Sequence, residues 1–400
     1  MPMAHKPFCI KSDHLVLPGG AVLAGYLPIL DGVFLPVARE APEDMEVIDR
    51  SGCWVAPGYV DTHVHGFMGH DVMDCDARGV DAASVELARR GTTSWVPTTL
   101  TQPSEQIRAA CQADRPQWRL RATTRVTPPA RAIAPPRHTE PATEIFFTKK
   151  HAGAQNPAHM TDPDVGLFCE WQDAAHGLIC KSSLAPEREG SPRYCATLKE
   201  MGVVAALGHS AATYEEGLAA VAAGATVFVH VFNGMDEFGH RAPGLVGLAM
   251  TTPTTFAELI CDGLHVAPAA IKALVAAKGW QHVAIVSDCL RCGGMPEGDY
   301  ILGDLPIRVE GGLARLVGGD GATGNIAGST TTVAQEAKNL MDWGIVTAEQ
   351  AIRMGSEIPA VSCGIDDGCG LILPGRVADL NVLSASLTVE ETYLGGRLVV

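Results

Sequence analysis

Two histidines with one residue between them, His63 and His65, stand in the stretch Pro57-Gly58-Tyr59-Val60-Asp61-Thr62-His63-Val64-His65-Gly66. In an extended strand, residues two apart face the same side, so both imidazoles can grip one ion. Imidazole suits zinc, iron, nickel or cobalt. An H-x-H pair alone is weak evidence, since surface histidines fall at that spacing by chance. Here a Pro-Gly turn and an aspartate precede it and a glycine follows. His209 ends the apolar run VVAALGHS, and His230 ends the strand of ATVFVHVFN. A lone histidine in such a run is more often a satisfied core residue than a ligand. Two of them at the ends of consecutive strands shift the odds toward metal. Asp288 ends VAIVSDCL in the same way. Its plain reading is a helix N-cap. Its chemical reading is a general base that takes a proton from metal-activated water and hands it to a leaving amine.

Such residues need a frame that brings strand ends together. The middle of the chain alternates short apolar strands (TSWVPTTL, GLICKSSLAPE, VVAALGHS, ATVFVHVFN, ELICDGLHV, VAIVSDCL) with helical patterns (DAASVELARRG, YEEGLAAVAAG, APAAIKALVAAKG, TTTVAQEAKNLMDWG). That repetition predicts a parallel sheet with helices outside it, and the polar residues sit at the C-terminal strand ends, where an α/β barrel builds its active site. Both chain ends read instead as short strands broken by Gly, Pro and Asp. The expected fold is α/β: a (β/α)8 TIM-like barrel over residues 56–368, with a small β-sandwich built from residues 1–55 and 369–400. One stretch does not fit. Residues 115–145 are rich in Arg, Pro, Thr and Ala and lack the apolar run of a barrel strand. They read as a surface insertion, or as a normal strand replaced through a sequence or reading-frame error.

With 400 residues, 46% hydrophobic and 19% charged, the chain has ample material for a large core. A net charge of −15 argues against nucleic acid or an anionic membrane surface as the main partner. A phosphorylated small molecule is compatible with it, because one arginine and helix N-termini can bind phosphate locally. The N-terminus lacks a signal-peptide core, and no stretch reaches the roughly 18 apolar residues of a membrane span. The twelve cysteines are scattered, and Cys289 and Cys292 have no second pair to complete a zinc knuckle. They read as reduced thiols, which points to the cytoplasm.

Taken together, APGYVDTHVHG, GTTSWVPTTLT, KKHAGAQNPAHM, SLAPE, LGHSAATYEEG, HVFNGM, HRAPGLVG, DGLHV, VSDCL, GNIAGSTTT and GLILPGRVADLNVL resemble the N-acetylglucosamine-6-phosphate deacetylases of the amidohydrolase superfamily. The resemblance covers most of the chain but fades over residues 106–145. It implies that His209 and His230 are ligands of the main metal and that Asp288 is the catalytic acid/base. It implies that His265 contacts the substrate and helps polarise the acetyl carbonyl. Asn233, Gly234 and Arg241 match the phosphate-binding set, and Ile326 and Ala327 the sugar-contacting loop. The family's remaining ligand is a glutamate in an H-x-E-G-P setting. Here Glu140, in His138-Thr139-Glu140-Pro141, keeps the H-x-E part and is the preferred candidate, with Glu144 the competitor. Gln155 stands where many members carry a substrate-contacting histidine. The resemblance further implies one or two divalent ions, zinc first, with iron, cobalt, nickel or manganese as alternatives; the retained His63 and His65 leave room for the second. It also implies a homodimer.

The expected reaction is hydrolysis of N-acetyl-D-glucosamine 6-phosphate to D-glucosamine 6-phosphate and acetate, with Asp288 as acid/base. Two rivals stay open. Dihydroorotases and N-acyl-amino-acid deacylases share the histidine pattern, but many use a carboxylated lysine after the fourth strand, whereas Lys181 begins KSSLAPE. The other rival is an inactive relative that only binds an amino-sugar phosphate.

Overall fold

The structure, a computed structural model, describes residues 6–113, 137–138 and 141–400. Parallel strands form its centre: β1 (Tyr59–Val64), β2 (Thr92–Pro97), β3 (Ala142–Phe146), β4 (Lys181–Leu184), β5 (Val204–Leu207), β6 (Val227–Phe228), β7 (Phe256–Leu259) and β8 (Val283–Ile285). β3 to β8 pair in sequence order as one six-stranded parallel sheet. β1 pairs in parallel with β2. A parallel bridge joins Thr98, just past β2, to Ala142 at the start of β3, and another joins Val64 to Cys289 just past β8. The neighbour relations therefore run from β1 through β8 and return to β1. β1, β2, β3 and β4 are buried on both faces, as expected of parallel strands covered by helices.

A helix follows each strand: α1 (Ala77–Ala88), α2 (Ser104–Ala113), α3 (Val165–Ala174), α4 (Ser191–Glu200), α5 (Tyr214–Ala223), α6 (Gly244–Thr251), α7 (Pro268–Lys278) and α8 (Val333–Asp342). Local chemistry sets their starts. Thr213 caps α5 through a reciprocal box with Glu216, and Asp164 caps α3 by accepting from the Leu167 N–H. Their inner faces meet the strands in one large apolar core containing Trp171, Tyr194, Phe228, Leu248 and Leu340.

Both chain ends enter a single mixed sheet. Phe8–Leu17 pairs with Ala21–Leu30, and Trp54–Pro57 pairs antiparallel with Leu380–Leu383. Ile10, Leu27, Phe34, Val55, Leu380 and Tyr393 pack together there. The terminal sheet thus reaches Pro57 before β1 begins, two residues past the expected boundary at 55.

Two features depart from expectation. Residues 142–146 form a buried strand, β3, inside the segment read as lacking one. Ala-Thr-Glu-Ile-Phe is short and half polar, and pairing with β4 on one side compensates for its weak apolar signal. Second, Gly298–Ile326 forms a four-stranded antiparallel sheet between β8 and α8 that was not anticipated. Its two-residue turns are written in the sequence as Gly303-Asp304, between the paired Leu302 and Leu305, and Gly311-Gly312, between Glu310 and Leu313.

Candidate metal centre and active site

The C-terminal ends of the parallel strands carry the chemistry. β1 presents His63 and, just beyond it, His65. β3 carries Glu144. His209, His230 and Asp288 lie just past β5, β6 and β8. All six are buried. His209, His230 and Asp288 have φ of 45°, 27° and 50°, a left-handed conformation that costs a non-glycine residue about 1–3 kcal/mol. The chain turns there to aim the side chain inward instead of continuing the strand. Two glycines make the room. A Cβ on Gly234 would stand 2.7 Å from His209 Nδ1, and one on Gly328 would stand 2.4 Å from the Asp288 carbonyl.

One oxygen of Glu144 lies 3.5 Å from His63 Nε2, and Asp288 Oδ1 lies 3.1 Å from His65 Nε2 and 3.6 Å from His63 Nε2. Ligand atoms of His63, His65 and Glu144 all lie within 4.8 Å of one another. The Nε2 atoms of His209 and His230 are 3.1 Å apart. His209 Nδ1 donates to the His151 carbonyl at 2.8 Å, which leaves its Nε2 lone pair facing inward. Among the described residues, Glu144 Oε1, His63 Nε2 and His230 Nδ1 have no hydrogen-bond partner. Buried groups of this kind cost free energy unless something meets them. The converging ligand atoms of His63, His65 and Glu144, with His63 Nε2 and Glu144 Oε1 left unpaired, are the donor set of a divalent transition ion. The residues present fit such an ion.

Electrostatics divides the cluster. Burial, helped by the charge of neighbouring histidines, lowers His209 and His230 to about 4, so both are neutral near pH 7. Burial would also lower His65, but the hydrogen bond it donates to Asp288 and the nearby carboxylates raise it to about 9. Burial alone would raise the Asp288 carboxyl. The hydrogen bond with His65 and the surrounding imidazoles hold it well below the usual carboxylate range.

Beneath β1 lies a buried pair that sequence reasoning missed. Lys181 Nζ donates to Glu258 Oε1 at 2.7 Å and to the Thr62 carbonyl at 2.6 Å, while Glu258 Oε2 stands 3.5 Å from His63 Nδ1. Lys181 occupies the start of β4, as expected, with its amine bound to this carboxylate. They stand on β4 and β7, two strands that are not neighbours in the sheet, so no local signal could have found them.

A cavity of ≈ 310 Å³ opens over the cluster, lined by His65, Gln155, His209, His230, Asn233, Gly234, His265, Asp288, Ile326 and Ala327 among others. Nearly all the expected site residues therefore meet in one place. Three of the expected residues are placed as follows. Glu140 lies outside the described residues, and Glu144 is the carboxylate placed beside His63. Arg241 is exposed and does not line the cavity, whereas Lys150 and His151 do. His265 has both ring nitrogens engaged, Nδ1 with Asp262 Oδ2 at 2.6 Å and Nε2 with the Ala327 carbonyl at 2.9 Å.

Strand-end imidazoles and carboxylates over parallel strands are the arrangement of a metal-dependent hydrolase. The amidohydrolase family model matches residues 54–399. The chain is 34% identical over 396 residues to the N-acetylgalactosamine-6-phosphate deacetylase of Escherichia coli O157:H7, covering 97% of this chain and 98% of that one. It is 31% identical over 392 residues to the N-acetylglucosamine-6-phosphate deacetylase of Bacillus subtilis (strain 168), covering 97% and 96%. A solved D267A mutant of N-acetyl-D-glucosamine-6-phosphate deacetylase from Mycobacterium smegmatis, in complex with N-acetyl-D-glucosamine 6-phosphate, superposes with TM-score 0.88 at 30% identity, covering 99% of this chain and 100% of that one. The chain belongs to the amidohydrolase family, in its N-acetylglucosamine-6-phosphate deacetylase branch.

Proposed function

We propose that this protein hydrolyses the acetamide of N-acetyl-D-glucosamine 6-phosphate, releasing acetate and D-glucosamine 6-phosphate. The observation that carries this reading is the convergence of Glu144, His63, His65, His209, His230 and Asp288 beneath one cavity. His209 and His230 would hold one divalent ion, and His63 and His65 a second, with Glu144 facing both. Zinc is our first choice. A bound divalent ion supplies carbonyl polarisation and a water whose pKa falls to about 7. Asp288, kept ionised by the histidines around it, accepts the proton of the attacking water. It returns that proton to the amide nitrogen as the C–N bond breaks and acetate leaves. Asn233 and Gly234, with Lys150 at the rim, would take the 6-phosphate and so fix the acetamide over the strand ends. Among the described residues, the candidate for the lysine of the rival deacylases, Lys181, is instead bound to Glu258.

A second substrate reading has one specific support: the relative from Escherichia coli O157:H7 is named for the galactosamine epimer. Acetate release from the two 6-phosphates, from unphosphorylated N-acetylglucosamine and from an N-acyl amino acid separates these cases. We expect the glucosamine derivative to give the highest kcat/KM. A preference for the galactosamine derivative would reassign the substrate, and binding without acetate release would favour an inactive sugar-phosphate sensor.

The same reading closes the eight parallel strands into a (β/α)8 barrel, supported by the bridges between Thr98 and Ala142 and between Val64 and Cys289. It makes the terminal sheet part of a β-sandwich and the functional unit a homodimer, for which the mass in solution is the test. No disulfide joins any of the twelve cysteines, all of them described, which agrees with a reducing, cytoplasmic location.

A further inference from the structure

Gln155 stands at a position where the family resemblance implies a substrate contact, yet its hydrogen bonds point elsewhere. Its side-chain Oε1 accepts from the Thr101 backbone N–H at 2.7 Å, and its Nε2 lies 3.0 Å from Glu144 Oε2. A backbone N–H can only donate, so it fixes which end of the amide is oxygen, and the NH₂ end must face the carboxylate. Gln155 is buried at 6% exposure. The result is a division of labour on Glu144. Oε2 is taken by a neutral donor, and Oε1 is left without a hydrogen-bond partner, 3.5 Å from His63 Nε2.

We propose that Gln155 is a positioning residue for the metal centre: it locks the Glu144 carboxylate so that Oε1 points at the ion, and it does not select the sugar. This rests on the metal-centre reading above. An amide suits the task because it donates without carrying charge. A protonated imidazole in the same place would set a cation beside the ion. The loop that carries Gln155 serves a second ligand as well. The His151 carbonyl receives His209 Nδ1–H, and the Thr148 N–H donates to the His209 carbonyl at 3.0 Å. The loop is braced in turn by the antiparallel sheet. Asn325 Nδ2 donates to the Gly153 carbonyl at 3.1 Å, and Asn156 Nδ2 to Asp304 Oδ2 at 2.7 Å. One stretch of nine residues thus orients ligands from β3 and from the end of β5.

Gln155→Met keeps the volume and removes the donor. With the full-length chain, zinc affinity is measured by competition with a chromophoric chelator, and KM and kcat are measured at saturating zinc. A residue that hydrogen-bonds a metal ligand typically controls about 10–100-fold in metal affinity. We expect a loss of that size in Gln155→Met, with KM for the 6-phosphate within about twofold of the parent. Gln155→Asn, whose amide is one methylene too short to span Thr101 and Glu144, should lose affinity too, and it carries the test if the Met variant does not fold. Unchanged zinc affinity in both variants, with or without a raised KM, overturns the proposal. If the parent protein itself takes up no divalent ion, the metal-centre reading fails instead, and that outcome is read before any variant is made.

Discussion

Three histidines stand at or just beyond the ends of consecutive strands, and two of them are used in the opposite way from the third. His209 and His230 face each other at 3.1 Å, and His230 Nδ1 has no hydrogen-bond partner among the described residues. His265 has a carboxylate on one ring nitrogen and a carbonyl on the other. Burial pushes all three toward the neutral form. For His209 the next influence is the charge of His230, which pushes the same way, down to about 4. For His265 it is the hydrogen bond to Asp262, which outweighs burial and raises the pKa. Unmet lone pairs mark the floor of the cavity as a place for a cation. Fully met nitrogens mark its roof as architecture: His265 ties Asp262 to the Ala327 carbonyl and so holds the Ile326–Ala327 loop over the floor.

If that division is right, substitutions on the floor cost far more than substitutions on the roof. His209→Ala or His230→Ala should strip the ion and lower turnover by more than the roughly 100-fold that losing a hydrogen-bond partner of a ligand can cost. Metal content by elemental analysis and acetate release check both effects, and a fully loaded His230→Ala would break the comparison. Asp288→Asn should keep the ion and lose about 10²–10⁴ in kcat, the range of general acid–base catalysis. Near-normal kcat there would remove Asp288 from the mechanism. On the roof, His265→Asn should leave ion content unchanged and raise KM about three- to tenfold, the worth of one lost hydrogen bond of about 0.5–1.5 kcal/mol in holding the loop. A loss of metal in that variant would move His265 down to the floor.

How much of this could be read from the sequence depends on whether a residue's role is local. His63, His65, His209, His230 and Asp288 end apolar runs, and strand direction alone brings such ends to one side of a parallel sheet. Glu144 was harder. Its strand is five residues long and follows a stretch without an apolar run, and the H-x-E pattern drew attention to Glu140. Only the pairing of Glu144 with Ser183 across β3 and β4 sets its register. Glu258 and Lys181 were invisible because each makes sense only through the other, 77 residues away. The antiparallel sheet is a different kind of miss, for Gly303-Asp304 and Gly311-Gly312 between apolar runs are ordinary hairpin signals that went unused. The opposite uses of His230 and His265 have no local signature either, since Asp262 could equally have been a turn residue.

The smallest expected effect is a pH dependence of stability, and it tests the roof alone. His265 has a raised pKa in the folded chain, against an unfolded value of about 6.5. The folded state therefore holds this proton more tightly than the unfolded state. The stabilisation it brings is fully present below about pH 6.5 and is lost as pH rises through the folded value. The facing groups are Asp262, which donates nothing and accepts the Nδ1–H, and the Asp288 charge. Thermal unfolding of the parent and of His265→Gln, each in the same metal-loaded state, should differ most near pH 6 and converge as pH rises through the folded value. The change in the gap is on the order of one to two degrees for a chain of this size. A gap that stays constant across that range would mean that His265 is neutral in the folded protein. It would then have only one ring N–H to share between Asp262 and Ala327, and its ring would be as incompletely satisfied as those on the floor.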